Sequence, residues 1–162
     1  MSAVETAQRR RLFEAVIDPA SIARGDRDQE QERATAIYDL VEENSFAVPG
    51  RDDGPYSLRI ALQDPRLTFD VRTRSDESVA SFGFSLTPFR SLLKDYFLIC
   101  ESYYAAIRTA SPTQIEAIDR SRRALHDEGA QLIAERLADR VEVDRATTRR
   151  LFTLLCALRW KA

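Results

Sequence analysis

The pattern of apolar and polar positions changes twice along the chain, from a helical period to a strand period and back. The first helical segment spans residues 27–43, where apolar side chains recur at three- and four-residue steps. Its expected buried stripe is Ala34, Ile37, Tyr38 and Val41. Asp26 and Gln29 have the spacing of a capping box at the start of this helix. The earlier segment 11–17 fits either a strand or a short helix, because its periodicity favours neither.

Three later segments alternate between apolar and polar residues, which is the period of a half-buried strand. They cover residues 56–62, 67–72 and 79–84. The connections between them are too short for parallel crossovers and therefore predict an antiparallel meander. Since one side of each strand is polar, we expect helices on the other face only. The predicted fold class is α+β: an antiparallel three- or four-stranded meander with four or more helices packed mainly on one face.

The longest apolar stripe follows Thr87-Pro88, a pair typical of a helix start. It runs over five turns to Arg108, and Leu98 and Ile99 widen it. A stripe this broad predicts that the middle of the helix is buried on most sides. We therefore expect this helix to be the hydrophobic centre of the fold.

The C-terminal part of the chain is also predicted to be helical. Ser111-Pro112 followed by Gln114 is a second capped helix start. The apolar pattern of residues 112–139 fits one long helix or two helices broken at Gly129. Asp144 is placed to cap a final helix.

The domain organisation and compartment follow from the remaining sequence. Residues 1–10 are polar, so we expect a frayed N-terminus followed by a single domain over residues 11–162. No apolar run approaches the roughly 18 residues that a membrane helix needs. The N-terminus lacks the basic and apolar segments of a secretion signal. These features predict a cytoplasmic protein that does not associate with a membrane.

The charges are nearly balanced and are distributed evenly. The chain has 24 basic and 26 acidic residues, for a net charge of −2, and all basic residues other than Lys94 and Lys161 are arginines. Acidic residues neighbour the basic ones along most of the chain. Nucleic-acid binding needs uncompensated positive charge to displace counterions from phosphates. The composition therefore disfavours a nucleic-acid partner.

Motifs for catalysis or cofactor binding are not evident in the sequence. Cys100 and Cys156 lie in apolar helical patterns, which favours free thiols over a disulfide. With a single histidine and no close cysteine pair, we expect no zinc site and assign no metal ligands. A magnesium site made of carboxylates alone stays an alternative, because such ligands have no fixed spacing. The five glycines form neither a dinucleotide-binding nor a phosphate-binding motif, and no Gly-x-Ser-x-Gly elbow occurs. We expect no cofactor and favour a protein that is not an enzyme.

Four residues outside the central helix are candidates for a site. His126 is the only histidine, and Arg122 precedes it by one helical turn. The alternative for His126 is a surface or partly buried position without a role. Glu42 and Glu43 end the first long helix just before the Pro49–Pro55 loop, where carboxylates oppose the helix dipole. They are either part of a binding site or partners of a nearby arginine.

The C-terminal end of the central helix provides three further candidates. Glu101, Tyr104 and Arg108 lie where the apolar pattern leaves side chains outside the expected core. A solvated helix face is the ordinary interpretation of such residues, and an interaction surface is the alternative.

Several segments between residues 11 and 160 together carry a family resemblance. They are Asp39-Leu40-Val41-Glu42-Glu43-Asn44-Ser45-Phe46, Asp53-Gly54-Pro55-Tyr56, Ser85-Leu86-Thr87-Pro88, Lys94-Asp95-Tyr96-Phe97, Cys100-Glu101-Ser102-Tyr103-Tyr104, Gln114-Ile115-Glu116-Ala117-Ile118-Asp119 and Arg149-Arg150-Leu151-Phe152-Thr153-Leu154. This set resembles the uncharacterised protein family 0262, a group of small alphaproteobacterial proteins. The family pattern reads His-Asp-Gly-Gly-Pro-Tyr where this chain begins with Arg51, which cannot replace a histidine in proton transfer or metal binding. The resemblance implies a cytoplasmic bacterial protein and assigns no reaction, ligand or catalytic residue.

Two function hypotheses follow. The first is a non-enzymatic protein-interaction or regulatory module that binds a partner, or a second copy of itself, through its helical layer or the Pro49–Pro55 loop. The alternative is a small-molecule-binding enzyme or sensor with a polar pocket between sheet and helices, using Glu42, Glu43, Arg122 or His126. A weaker third hypothesis is RNA association through the arginines.

Overall fold

The computed structural model describes residues 2–158 and shows an α+β fold, as the sequence predicts. Met1 and residues 159–162, the end of the predicted domain, lie outside the described residues. In chain order the elements are α1 (Ala3–Arg9), β1 (Leu12–Ile17), α2 (Arg27–Glu42), β2 (Phe46–Ala47), β3 (Tyr56–Gln63), β4 (Arg66–Arg72), β5 (Ser78–Ser85), a 3-10 turn (Thr87–Phe89), α3 (Arg90–Thr109), α4 (Pro112–Leu137), β6 (Glu142–Val143) and α5 (Arg145–Leu158). The N-terminal segment expected to be frayed contains α1, none of whose residues is buried.

The main sheet has the strand order β1-β3-β4-β5. Its last three strands form the predicted antiparallel meander. The sheet as a whole is mixed and not purely antiparallel, because its fourth strand, β1, pairs with β3 in parallel. A parallel neighbour requires a long crossover, and the chain between β1 and β3 supplies it with α2. β2 and β6 form a separate two-stranded ribbon.

One face of the sheet is apolar and packs under the helices, as predicted. Leu58, Ile60 and Val71 are almost completely buried there. The Phe69 ring meets the ring of Phe82 edge to face, with centroids 5.7 Å apart. The opposite face is polar and carries the ion pair between Arg72 and Asp70, at 2.7 Å, among others.

The predicted helix starts at Asp26, Ser111 and Asp144 are confirmed. Asp26 and Ser111 each form a complete capping box with the glutamine three residues later. Asp144 Oδ1 accepts a hydrogen bond from the Thr147 amide at 2.9 Å, at the start of α5. Residues 112–137 form one unbroken helix, so the alternative of a break at Gly129 is excluded.

The predicted buried stripe of α2 is confirmed at Ile37 and Val41, which are partly buried against the core, and is wrong at Ala34 and Tyr38. The buried positions are Arg33, Ala36 and Leu40, whereas Ala34 and Tyr38 are exposed. The charged Arg33 is buried because its guanidinium donates to the Ala157 carbonyl at 3.2 Å and to the Leu158 carbonyl at 3.4 Å. An apolar pattern does not count a charged residue that is buried in order to satisfy the end of another helix.

The central position expected for the Pro88–Arg108 helix is also wrong. Two of the 20 residues of α3, Leu93 and Ala106, are buried, and Leu98 is 54% exposed. By contrast, eight of the 14 residues of α5 are buried. α3 packs mainly against α4, so one side of its broad apolar stripe remains uncovered by the described residues.

The start of α3 also differs from the prediction. Thr87 opens a 3-10 turn and makes no side-chain cap. Its amide instead donates to Ser85 Oγ at 3.1 Å. The turn therefore carries the chain directly from the last strand of the sheet into the helical layer.

Candidate functional site

A groove of about 880 Å³ runs between α2 and α3, and α5 forms its floor. We call it the α2–α3 groove. Its lining residues are Gln31, Glu32, Thr35, Ala36, Asp39, Arg90, Leu93, Lys94, Tyr96, Phe97, Cys100, Glu101, Tyr104, Thr153, Cys156 and Ala157. The groove exists because α3 leans on α4 and leaves its other side open toward α2.

The interior of the groove is largely apolar and aromatic. Leu93 and Ala157 are buried in its wall and floor, and Phe97 is partly buried beside them. The Tyr96 ring packs edge to face on Phe152 of α5, with centroids 5.6 Å apart. Because Phe152 is fully buried in the core, this contact fixes α3 on the rest of the molecule.

The rims of the groove are charged. Asp39 lies on the α2 side, while Lys94 and Glu101 lie on α3. Tyr104 stands near the C-terminal end of α3 and is 64% exposed. Charged rims around an apolar floor are the usual anatomy of a binding groove.

A smaller hollow of about 310 Å³ adjoins the groove. It is lined by Ala36, Asp39, Glu42, Glu43, Arg150 and Thr153, of which three also line the groove. Arg150 pairs with Glu43 at 3.6 Å, but the Glu43 side chain is 84% exposed and the pair is therefore weak. The hollow extends the acidic wall of α2 past its C-terminal end.

His126 lies behind the groove and touches it through Thr153. Its Nε2 is 2.9 Å from Thr153 Oγ1, and that hydroxyl also donates to the Arg149 carbonyl at 3.1 Å. A hydroxyl that donates elsewhere accepts from the histidine, so the imidazole carries its proton on Nε2. Nδ1 is then an acceptor, and it is buried without a hydrogen-bond partner among the described residues.

The environment of His126 keeps the ring neutral. Its ring packs edge to face on Phe152, with centroids 5.1 Å apart, and on Tyr96 at 5.8 Å. Burial lowers the pKa of His126, and the positive charge of Arg149 lowers it further. The histidine is therefore an uncharged member of an aromatic cluster.

The tyrosine and the two cysteines that are at least partly buried in the groove, Tyr96, Cys100 and Cys156, are also neutral. Burial raises the pKa of Tyr96, of Cys100 and, most strongly, of Cys156. Both cysteines are free thiols, as the sequence predicts. A thiol acts as a nucleophile or metal ligand through its thiolate, and here the protonated form is favoured.

The structure brings most of the predicted site residues to one side of the molecule. Glu101 and Tyr104 line the groove, and Glu42 and Glu43 line the adjoining hollow. His126 reaches the groove through Thr153.

The other two candidates, Arg122 and Arg108, do not line either hollow. Arg122 forms an ion pair with Asp119 at 2.6 Å and lies over the Tyr103 ring at 5.1 Å. Arg108 lies exposed in the last turn of α3.

Sequence reasoning missed several residues of the groove. They are Asp39 and Thr35 on α2, Phe97 on α3, and Thr153 and Cys156 on α5. The steps from Phe97 to Glu101 and from Glu101 to Tyr104, of four and three residues, place all three on one helix face and could have indicated part of the groove wall. The contribution of α5 depends on tertiary packing and leaves no pattern in the sequence.

The Pro49–Pro55 loop is held by its own hydrogen bonds. Arg51 pairs with Asp53 at 2.6 Å, and Asp53 Oδ1 accepts from the Tyr56 hydroxyl at 2.9 Å. Burial raises the pKa of Tyr56 to about 12, and the bond to Asp53 adds to this effect. Arg51 thus orients the carboxylate that holds the first residue of β3.

The described residues include no group of three or more histidine, cysteine, aspartate or glutamate side chains placed to hold a metal ion. Within the same residues, no helix combines the length and apolar character needed to cross a membrane.

The fold and the groove define a small α+β protein with an open cleft in its helical layer. The chain belongs to the Uncharacterised protein family (UPF0262), whose model matches residues 9–161. A UPF0262 protein of Azorhizobium caulinodans is 58% identical over 159 residues, which cover 97% of this chain and 98% of the relative. UPF0262 proteins of Xanthobacter autotrophicus and Agrobacterium fabrum are 55% and 53% identical, each over 93% of this chain and over 93% and 96% of the relative. No solved structure matches the chain.

Proposed function

We propose that this protein is a cytoplasmic, non-enzymatic interaction module whose α2–α3 groove binds an amphipathic helix carrying basic residues beside its apolar stripe. The single observation that carries the proposal is the uncovered side of α3. Its apolar stripe faces a groove of about 880 Å³ that is open to solvent along α2. Two free cysteines in the groove wall and floor support a reducing compartment.

The apolar surface of the groove fits a helix better than a polar ligand. Helices that dock in grooves present apolar residues at three- and four-residue steps. The wall offers Leu93, Phe97, Cys100 and Tyr104 at these steps along α3. A partner helix lying between α2 and α3 would fill the groove and pack on α5, which forms the groove floor.

The charge distribution favours a basic partner. The α2 side presents Asp39 and Glu42, followed by Glu43, and Glu101 adds a carboxylate on the α3 side. The basic residues that line the groove, Arg90 and Lys94, both lie near the N-terminal end of α3. Lysine or arginine residues along one flank of a bound helix would therefore lie against the acidic α2 wall. This charge complementarity would favour one orientation of the bound helix and would increase the rate of association.

The location, protonation and hydrogen bonding of the polar groups favour a binding role over a catalytic one. The alternative hypothesis placed a polar pocket between sheet and helices, whereas both hollows described above lie among helices. The raised pKa values of Cys100 and Cys156 leave these thiols in the unreactive, protonated form. His126 bonds Thr153 through Nε2, and its unpaired Nδ1 is buried in a ring enclosed by two aromatic side chains, so neither ring nitrogen is available for proton transfer in the groove.

The proposal is tested by selecting peptides from a randomised helical display library against the full chain. We expect the enriched sequences to be amphipathic and to carry lysine or arginine beside the apolar stripe. Tyr104→Asp and Asp39→Lys should each weaken binding of the enriched peptides by about tenfold or more, equivalent to ~1.4 kcal/mol.

Matched controls separate groove binding from general surface effects. Ile107→Asp introduces the same charge at another exposed apolar position of α3, and Asp95→Lys reverses a charge on the same helix outside the groove. Both controls should bind the peptides as the wild type does. The proposal fails if no peptide is enriched, if the enriched peptides are acidic, or if the groove variants bind like the controls.

A further inference from the structure

The strand β5 forms an open edge of the main sheet. It pairs with β4 on one side, and no described residue forms a strand beside it on the other. Its sequence, Ser78 to Ser85, is eight residues long and contains no charged residue and no proline. Natural proteins protect exposed edge strands with charges, proline, bulges or a covering element, because an open edge offers unpaired amides and carbonyls to another strand. β5 has no charge and no proline along its own length, and its register shift at Val79 lies near the N-terminal end, outside the segment from Ala80 to Phe84.

The opposite edge of the sheet shows the protection that β5 lacks. At β1, the Asn44 side chain accepts from the Leu12 amide at 2.7 Å and donates to the Leu12 carbonyl at 3.1 Å. These two bonds imitate the pairing of a neighbouring strand. β1 also carries the charged Glu14, and α2 packs against this strand. The two edges therefore differ in how strongly they resist pairing with another chain.

We propose that β5 is a homodimer interface, at which it pairs antiparallel with β5 of a second copy of this chain. The absence of charge argues for self-pairing, because identical strands place their own residues opposite each other and like charges there would repel. An isologous contact of this kind closes on itself as a twofold dimer and exposes no further edge of β5.

The alternation of side chains along β5 limits the register of such a pair. Residues opposite each other in an antiparallel pair lie on the same face of the sheet, so apolar core-side residues must meet their equivalents. Phe82 and Phe84 lie on the core side and are buried, whereas Ser81 is exposed on the outer side. Pairing Phe82 with its own equivalent keeps both faces consistent and sets an aromatic residue opposite an aromatic residue. Ala80 then lies opposite the second copy's equivalent of Phe84.

One hydrogen bond at the open edge of β5 would have to break before a second copy could pair there, and it is a weak competitor. The Arg66 guanidinium reaches from β4 to the Gly83 carbonyl at 3.0 Å, in an exposed position. A backbone amide from a second copy could replace this donor without leaving a buried group unsatisfied. Because strand pairing alone buries less surface than a permanent interface, we expect a dimer that forms reversibly with concentration.

The test combines mass, a charged variant and amide exchange on the full chain. Sedimentation velocity from low to high micromolar concentration should show a concentration-dependent shift from the 18.4 kDa monomer to twice that mass. Ser81→Lys places a charge in the middle of the exposed side of β5 and should abolish the shift. Thr68→Lys, which places the same charge on the same sheet face but on the interior strand β4, should leave the dimer intact, with circular dichroism verifying that both variants fold.

Hydrogen exchange identifies the strand that pairs. Amides of β5 should exchange more slowly at high concentration, while those of β1 remain unchanged. A chain that stays monomeric at all concentrations overturns the proposal. A dimer that Ser81→Lys leaves intact also overturns it, and loss of that dimer in Tyr104→Asp would locate the contact in the α2–α3 groove instead. Peptide binding in the groove does not depend on the dimer, so either proposal can fail alone.

Discussion

Gly129 of α4 lies directly against the ring of Phe152 in α5. A Cβ atom at position 129 would be 2.2 Å from the nearest ring carbon, well inside van der Waals contact. Phe152 is fully buried, and its ring also packs on Tyr96 of α3 and on His126 of α4. The missing side chain at position 129 therefore allows α4 and α5 to approach each other and sets the position of the wall and floor of the groove.

Gly129→Ala should destabilise the protein, although alanine favours a helix more than glycine does. The gain in helix propensity is about 1 kcal/mol. The clash with a fully buried ring costs about 1–3 kcal/mol, because relieving it requires the ring or the two helices to move. We expect a net loss in the free energy of unfolding, measured by urea denaturation.

A double-mutant cycle identifies the cause of that loss. Phe152→Leu removes the ring atoms nearest to position 129, so the alanine should cost less in this background than in the wild type. Equal costs in both backgrounds would show that the Gly129–Phe152 contact does not limit the approach of the helices.

Arg33→Met should destabilise the protein by about 1–3 kcal/mol, because the last carbonyls of α5 would lose a buried donor. Arg33 donates to the Ala157 and Leu158 carbonyls and also pairs with Glu30 at 3.0 Å. Urea denaturation measures the change. The matched control is Arg27→Met, at an exposed position in the first turn of the same helix, and should change stability by less than about 0.5 kcal/mol. Equal losses in the two variants would contradict the proposed role of Arg33.

His126 should make the protein less stable as the pH falls below neutrality. Its folded pKa lies below the ordinary value of 6.5, because burial and the charge of Arg149 disfavour the protonated ring. Between the unfolded and the folded pKa, the unfolded chain binds a proton that the folded chain does not bind. Stability contributed by the neutral ring is therefore present above about pH 6.5 and is lost as the pH falls toward the folded pKa.

His126→Gln isolates this effect. The variant keeps a group able to bond Thr153 and removes the titration, so its stability should depend less on pH in this window than that of the wild type. Because His126 is the only histidine, its ring proton resonance gives the folded pKa by NMR without assignment. A measured pKa at or above 6.5, or equal pH dependence in both proteins, would refute the assignment.

The meander and the capped helix starts were predictable because their signals are local. Alternation decides which residues of β3 and β4 face the core, and Asp26, Ser111 and Asp144 cap their helices through residues three positions away. The parallel position of β1 was not predictable, since a six-residue strand carries no sign of its distant neighbour.

The groove lay further from what the sequence could predict. The apolar stripe of α3 is evident, but a stripe does not tell whether a helix, a partner or solvent lies against it. Glu101 and Tyr104 were identified from their position on one helix, whereas Thr153 and Cys156 come from α5 and meet them only in the folded chain. The inward turn of Arg33 depends on the carbonyls of α5, which lie far away in sequence.

The two thiols should report the state of the groove. Burial raises the pKa of both cysteines above the ordinary value of 9.0, most strongly that of Cys156, so a disulfide reagent should react with each far more slowly in the folded chain than in urea. Cys100 should react before Cys156, and the single variants Cys100→Ser and Cys156→Ser assign the two phases. An amphipathic basic peptide bound in the α2–α3 groove should slow the Cys100 phase further, and should fail to do so in Tyr104→Asp. Rapid labelling of both thiols in the folded chain would contradict the burial of these groups, and labelling unaffected by a bound peptide would place the peptide outside the groove.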